Sequence, residues 1–179
     1  MEAFDIEMSA PIDPSGFLGG LGGPNQGGHT GPNWYIQFGM DLAADAGVPV
    51  FACFDAHVTR FQRHEPQTDS GKVYGARIFM RSANDGMGAF FTHPTDTPDW
   101  LAPGAAISRG DQLGTVTSFG GISPHVHLAL VEIVGGLPGG AYTGVDLYDF
   151  FRGLESSESG SVVPVTFPQD GSAPFPQAL

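Results

Sequence analysis

Ser123-Pro124-His125-Val126-His127-Leu128-Ala129-Leu130-Val131 sets two histidines on either side of one valine inside an otherwise apolar, strand-like run. Residues two apart in a strand project from the same face, so His125 and His127 present two imidazoles side by side. A neutral imidazole carries one donor and one acceptor, and burial without partners for both is costly. Metal ligation meets that need, and so does a histidine pair satisfied by backbone and neighbouring side chains. The rest of the chain has to decide between them.

Working outward, 27 glycines and 15 prolines, with no long helix-period stretch before residue 145, divide the sequence into many short strands joined by turns. The fold class is mainly β. A length of 179 residues suits one domain with appendages: a Gly/Pro-rich lead-in over 1–33, a core domain over 34–153 and an acidic Ser/Pro-rich tail over 154–179. The net charge of −12, with only 7 Lys+Arg, implies a strongly anionic surface that repels phosphates and excludes nucleic acid as a partner. Such a surface and tail suit contacts with a protein partner. Nowhere is there an apolar run long enough to span a membrane, and Met1–Met8 lacks the basic and apolar regions of a signal peptide. The expectation is cytoplasmic synthesis, with access to a cell wall only through lysis or a dedicated export machine. Cys53 stands alone in an apolar run and reads as a buried structural thiol.

Taken in order, the glycine-rich segment up to His29 suits either close backbone approach or a flexible linker. Trp34–Leu42 reads as a strand with Gln37, Gly39 and Asp41 on one face, which leaves Asp41 a carboxylate among apolar neighbours in need of a partner, a turn or a cation. Gly47–Ala52 and His57–Phe61 read as strands, and 62–70 as a loop. Val73–Arg81 and Gly88–His93 form a hairpin about Asn84-Asp85-Gly86, with His93 at its end. Two short strands follow within Ala106–Val116. Asp146–Arg152 reads as one short C-terminal helix, with Asp146 as N-cap and Gly153 as its stop. In the tail, Val162–Phe167 has β character, and Pro164 confines it to an edge. His57 and His64 are read as surface residues.

The ordered series Gln37-Phe38-Gly39-Met40-Asp41, Pro49-Val50-Phe51-Ala52, Tyr74-Gly75, Phe91-Thr92-His93, Gly110-Asp111-Gln112-Leu113-Gly114 and Pro124-His125-Val126-His127 resembles the lysostaphin/LytM-type zinc metallopeptidases over roughly residues 34 to 150. That resemblance implies a compact antiparallel β-sheet fold with a groove, zinc as cofactor, and bacterial peptidoglycan peptides as substrate. It carries Asp41 and His127 over as metal ligands, His93 and His125 as catalytic histidines lining the site, and Tyr74 as part of the substrate groove.

The sequence departs from the pattern at its first ligand. Gln37 stands where the family has a histidine, and an amide oxygen is a poorer zinc donor than an imidazole nitrogen. Ala129 also replaces a glutamate common after the His-x-His pair, and His57 a turn glycine. Either Gln37 itself serves or His29, folded back by the glycine-rich lead-in, substitutes for it. A peptidoglycan endopeptidase with an atypical zinc site is the first expectation. A metal-free LytM-like module that binds peptidoglycan or a partner protein, as a regulator of wall hydrolases or part of a phage-like or secretion assembly, is the alternative.

Overall fold

A computed structural model of the chain describes residues 1–66, 74–118 and 120–177, with the backbone alone at residue 155. The elements run β1 (Phe4–Met8), β2 (Phe17–Gly22), helical turn α1 (Trp34–Gln37), β3 (Gly39–Ala44), β4 (Pro49–Phe51), β5 (Ala56–Gln62), β6 (Arg77–Ser82), β7 (Met87–Thr92), β8 (Ala106–Ile107), β9 (Gln112–Thr115), β10 (His125–Val134), β11 (Ala141–Val145), α2 (Tyr148–Gly153), β12 (Val163–Phe167) and β13 (Phe175–Pro176). Every strand pairing is antiparallel, as expected for a mainly β chain.

The main sheet has the order β2-β3-β10-β7-β6-β5-β8, and β10, the His-x-His strand, is its spine. On one side β3 pairs with the first half of β10 and β11 with the second; β7 pairs along the other side. Alternation then divides the chemistry between two faces. Val126, Leu128 and Leu130 pack with Met40, Leu42, Ile78, Met80 and Phe91 in the hydrophobic core. His125 and His127 point to the opposite face. The register sets Asp41 of β3 directly across from His127, so a carboxylate and an imidazole meet as a cross-strand pair.

The expected strand over Trp34–Leu42 begins only at Gly39. Trp34–Gln37 is one helical turn, with the Gln37 and Phe38 amides donating to the carbonyls of Asn33 and Trp34 at 2.9 Å. The β propensity of Trp, Tyr and Ile is overridden because this turn lays Trp34 and Tyr35 against Phe79 of the sheet, with ring centroids 6.3 and 5.4 Å away. Gln37 therefore does not share a strand face with Asp41.

Both flanking segments hold strands. β1 pairs with β12, Phe4 opposite Phe167 and Met8 opposite Val163, and β13 lies on the far side of β12. The tail strand thus occupies the middle of a three-stranded sheet and not an edge. Pro164 is tolerated there because β13 is only two residues long and ends beside it, where the Pro164 carbonyl accepts the Gln177 amide at 2.8 Å and no ladder bond calls for the N–H that proline lacks. Val165 and Phe167 are fully buried, each contributing about 1.5–3 kcal/mol of apolar burial. In the lead-in, a Cβ at Gly20 would strike the Tyr148 hydroxyl, which accepts the Gly22 amide at 2.9 Å; close backbone approach is what these glycines permit.

The hairpin about Asn84-Asp85-Gly86 forms with β6 beginning at Arg77; of the longer strand expected from Val73, residue 73 lies outside the described residues, as does the 67–70 part of the expected loop. The N-cap of α2 is Leu147 and not the expected Asp146, which lies one residue further out with its Oδ1 accepting the Tyr148 amide at 3.0 Å, and the helix runs through Gly153, the expected stop. Cys53 is buried, which pushes its thiol pKa far up and leaves it inert. No helix among the described residues is long and apolar enough to cross a membrane.

Candidate metal centre

Asp41 is the hub of the histidine face. Its Oδ1 lies 2.9 Å from His127 Nδ1, and its Oδ2 lies 3.2 Å from His29 Nε2 and 3.7 Å from His125 Nε2. One donor atom each from His29, Asp41 and His127 falls within 4.8 Å of the other two. The His93 ring completes the group, with its centroid 4.9 Å from that of His125 and 6.1 Å from that of His127. All four histidines are buried, while Asp41 is partly open.

Each imidazole is fixed from behind by the main chain. His29 Nδ1 lies 2.9 Å from the Gly23 carbonyl, His127 Nε2 2.7 Å from that of Tyr35, His93 Nδ1 2.7 Å from that of Tyr74, and His125 Nδ1 2.9 Å from that of Ser123. A carbonyl oxygen only accepts, so the nitrogen facing it carries the proton and the tautomer follows. In neutral His29 and His127 the inward nitrogen is then a bare lone pair aimed at an oxygen of Asp41. Two lone pairs directed at a carboxylate need a cation among them, either protons on the rings or a metal ion. Two imidazole nitrogens and a carboxylate oxygen, oriented by outer hydrogen bonds, are a donor set that fits zinc.

Titration behaviour follows from the same contacts. Burial opposes ionisation of Asp41, but hydrogen bonds from His127 and His29 outweigh it and hold the carboxyl well below its usual range. Burial likewise opposes the His29 cation, yet Asp41 wins and raises that imidazole's pKa. His93 is lowered to about 4, first by burial and then, against the Tyr74 carbonyl, by the other histidines, so it is neutral at neutral pH.

Gln37 stays outside the cluster. At the end of α1 its Nε2 donates to Asn25 Oδ1 at 2.9 Å, whereas His29, at the end of the glycine-rich lead-in, is folded onto Asp41. Space for that arrangement comes from Gly39: a Cβ there would strike His127 Cε1 and lie 2.8 Å from both His127 Nε2 and His29 Cδ2. Gly75, at φ +87, similarly passes against the backbone of His93. Tyr74 contributes its carbonyl to His93, and its side chain is half-buried. His57 lies apart on β5, 3.4 Å from Asp85. The four carbonyls had no side-chain signal in the sequence, and Gly39 showed there only as a glycine between Gln37 and Asp41 on the expected strand face.

No protein-family model matches the sequence, nor does any curated protein, so the comparison rests on structure. A mutant catalytic domain of the prophage-encoded M23 protein EnpA from Enterococcus faecalis is 24% identical, with a TM-score of 0.51 over 75% of this chain and 92% of that one. The antimicrobial peptidase lysostaphin from Staphylococcus simulans gives 0.54 at 17% identity, over 86% of this chain and 59% of lysostaphin. A zinc containing peptidase from Vibrio cholerae gives 0.51 at 18% identity, and there the match covers 78% of this chain but only 38% of the other. The fold is that of the M23 peptidases. In this fold the four clustered histidines and Asp41 lie on one face of the sheet, on or beside β10, β3 and β7.

Proposed function

We propose that this chain is a zinc-dependent peptidase that hydrolyses peptide cross-links of bacterial peptidoglycan, with His29 taking the ligand place that Gln37 cannot fill. The observation that carries the reading is the convergence of two inward, carbonyl-oriented imidazole nitrogens on the two oxygens of Asp41. His29, Asp41 and His127 would hold the ion, which supplies Lewis-acid polarisation of a peptide carbonyl. His93 and His125 serve as the proton-handling pair. With Nδ1 of each committed to a backbone carbonyl, Nε2 is the nitrogen able to take or return a proton beside the site. Neutrality of His93 at neutral pH suits a base.

The test is metal analysis by mass spectrometry of protein purified without chelator or metal resin, followed by release of peptides from purified cell walls. About one zinc per chain, and loss of release in His125→Ala with zinc retained, are expected. Protein that takes up no zinc when it is supplied would overturn the peptidase reading; capture of wall fragments by that metal-free protein would support a binding module instead.

A further inference from the structure

Arginines are scarce in this chain, and they fall into two groups. Arg63, Arg109 and Arg152 each sit within ion-pair distance of a carboxylate: Asp99 at 3.9 Å, Glu7 at 3.9 Å and Asp149 at 3.3 Å. Arg60, Arg77 and Arg81 pair with no carboxylate among the described residues. Arg60 lies over the Phe79 ring at 4.0 Å, and Arg81 reaches only the Tyr142 hydroxyl at 3.3 Å. Arg60 is exposed and the other two are half-buried. In a chain with net charge −12, three guanidinium groups with no carboxylate partner among the described residues stand out against the composition; Arg60 lines one cleft with Arg77 and the neighbouring one with Arg81.

Their register places them on the histidine face. On β6, Arg77, Phe79 and Arg81 alternate with the buried Ile78 and Met80. Across the ladders, Arg77 stands opposite Thr92, Thr92 opposite His127, and His127 opposite Asp41, in one row. Arg60 stands opposite Phe79, and Phe79 opposite Phe90, in the adjacent row. Two strand spacings, about 10 Å, separate Arg77 from His127, a span an extended peptide covers in about three residues. A cleft bounded by Tyr35, Arg60, Phe61, Gln62, Arg77 and Phe79 occupies this ground.

Guanidinium groups match carboxylates in a forked geometry, and apolar contact beneath them strengthens the pairing by excluding water. The aromatic floor and the strand-spaced row favour an extended peptide over a flexible phosphate polymer. We propose that Arg60, Arg77 and Arg81, set around Phe79, form a carboxylate-binding subsite that seats an acidic residue of an extended peptide about three residues from the bond presented to His29, Asp41 and His127. The bond to be cut rests on the peptidase reading; the binding does not.

Trp34, which lines the neighbouring cleft with Arg60 and Arg81, gives a fluorescence readout once Trp100→Phe removes the other tryptophan. In that background, acetyl-Gly-Gly-Glu-Gly-Gly-amide should bind about tenfold or more tighter than its glutamine analogue, the difference shrinking with added salt. Arg77→Gln and Arg60→Gln should each remove most of the preference, and Arg152→Gln, whose guanidinium pairs with Asp149 away from the strip, should keep it. Equal affinity for the two peptides overturns the subsite. So does equally tight, arginine-dependent binding of poly(glycerol phosphate), which would assign the strip to phosphate. Selective binding without wall hydrolysis would sink the peptidase reading and spare the subsite; hydrolysis without selectivity would do the reverse.

Discussion

Replacing Gly39 by alanine tests the site through packing. Gly39 is not among the residues with positive φ, so alanine fits its backbone and the effect comes from space alone. The new methyl would strike His127 Cε1 and lie 2.8 Å from His127 Nε2 and His29 Cδ2. In a close-packed site the two rings must retreat by roughly half an ångström or more to reach ordinary contact. Overpacking of this kind costs about 1–3 kcal/mol. For a chain of this size that lowers Tm by about 2–12 °C. Zinc provides the second readout: at a concentration about 100 times its Kd, a bound ligand adds about 2.7 kcal/mol. Wild-type protein should therefore gain about 5–11 °C when zinc is added. With both imidazoles displaced, the variant's affinity should fall about tenfold or more, and at the same zinc concentration it should recover about 1.4 kcal/mol less. Calorimetric melts of both proteins, with and without zinc, measure all of this. A variant that melts with wild type and gains the same zinc shift would show that the two rings do not meet at Gly39.

His29→Ala should lose stoichiometric zinc while Gln37→Ala keeps it, as read by metal mass spectrometry; the opposite result would return the ligand to the helical turn. Phe167→Ala should cost about 3–5 kcal/mol in denaturant unfolding, because this tail residue is fully buried, whereas a dispensable tail would give no change. Glu132 is fully buried on β10, where burial raises its pKa against the Gln169 amide groups that lower it. A carboxyl raised in the folded state contributes stability below its unfolded pKa of 4.5 and loses it as pH rises through the folded value. Glu132→Gln should abolish that part of the pH dependence, and melts from pH 4.5 upward that fall equally in both proteins would refute it.

Much of this was legible because it is local. The alternation of His125 to Val131, the hairpin at Asn84-Asp85-Gly86 and the short helix that follows Asp146 are each written within a few residues. The placing of Gln37 away from Asp41 and of His29 against it was not, because it hangs on one turn of helix. Trp34, Tyr35 and Ile36 favour strand on propensity, and only their seat against Phe79 and Phe90 makes the turn. The sheet of β1 and β12 joins residues some 160 positions apart, and no local pattern encodes a pairing of that reach. The acidic composition after residue 154 concealed the fully buried Val165 and Phe167 within it.

The carbonyls behind the imidazoles bear on how the site tolerates change. Gly23, Tyr35, Tyr74 and Ser123 orient the rings through atoms that every amino acid possesses. Gly23 leaves no room for a Cβ beside Tyr148, but at the other three positions substitutions that preserve the backbone path leave the hydrogen bonds intact, so that part of the orienting shell is robust to side-chain drift yet vulnerable to insertions and deletions. A histidine delivered from any segment that brings a carbonyl behind it can then complete the centre. Loop length, more than residue identity, is the quantity such a site constrains.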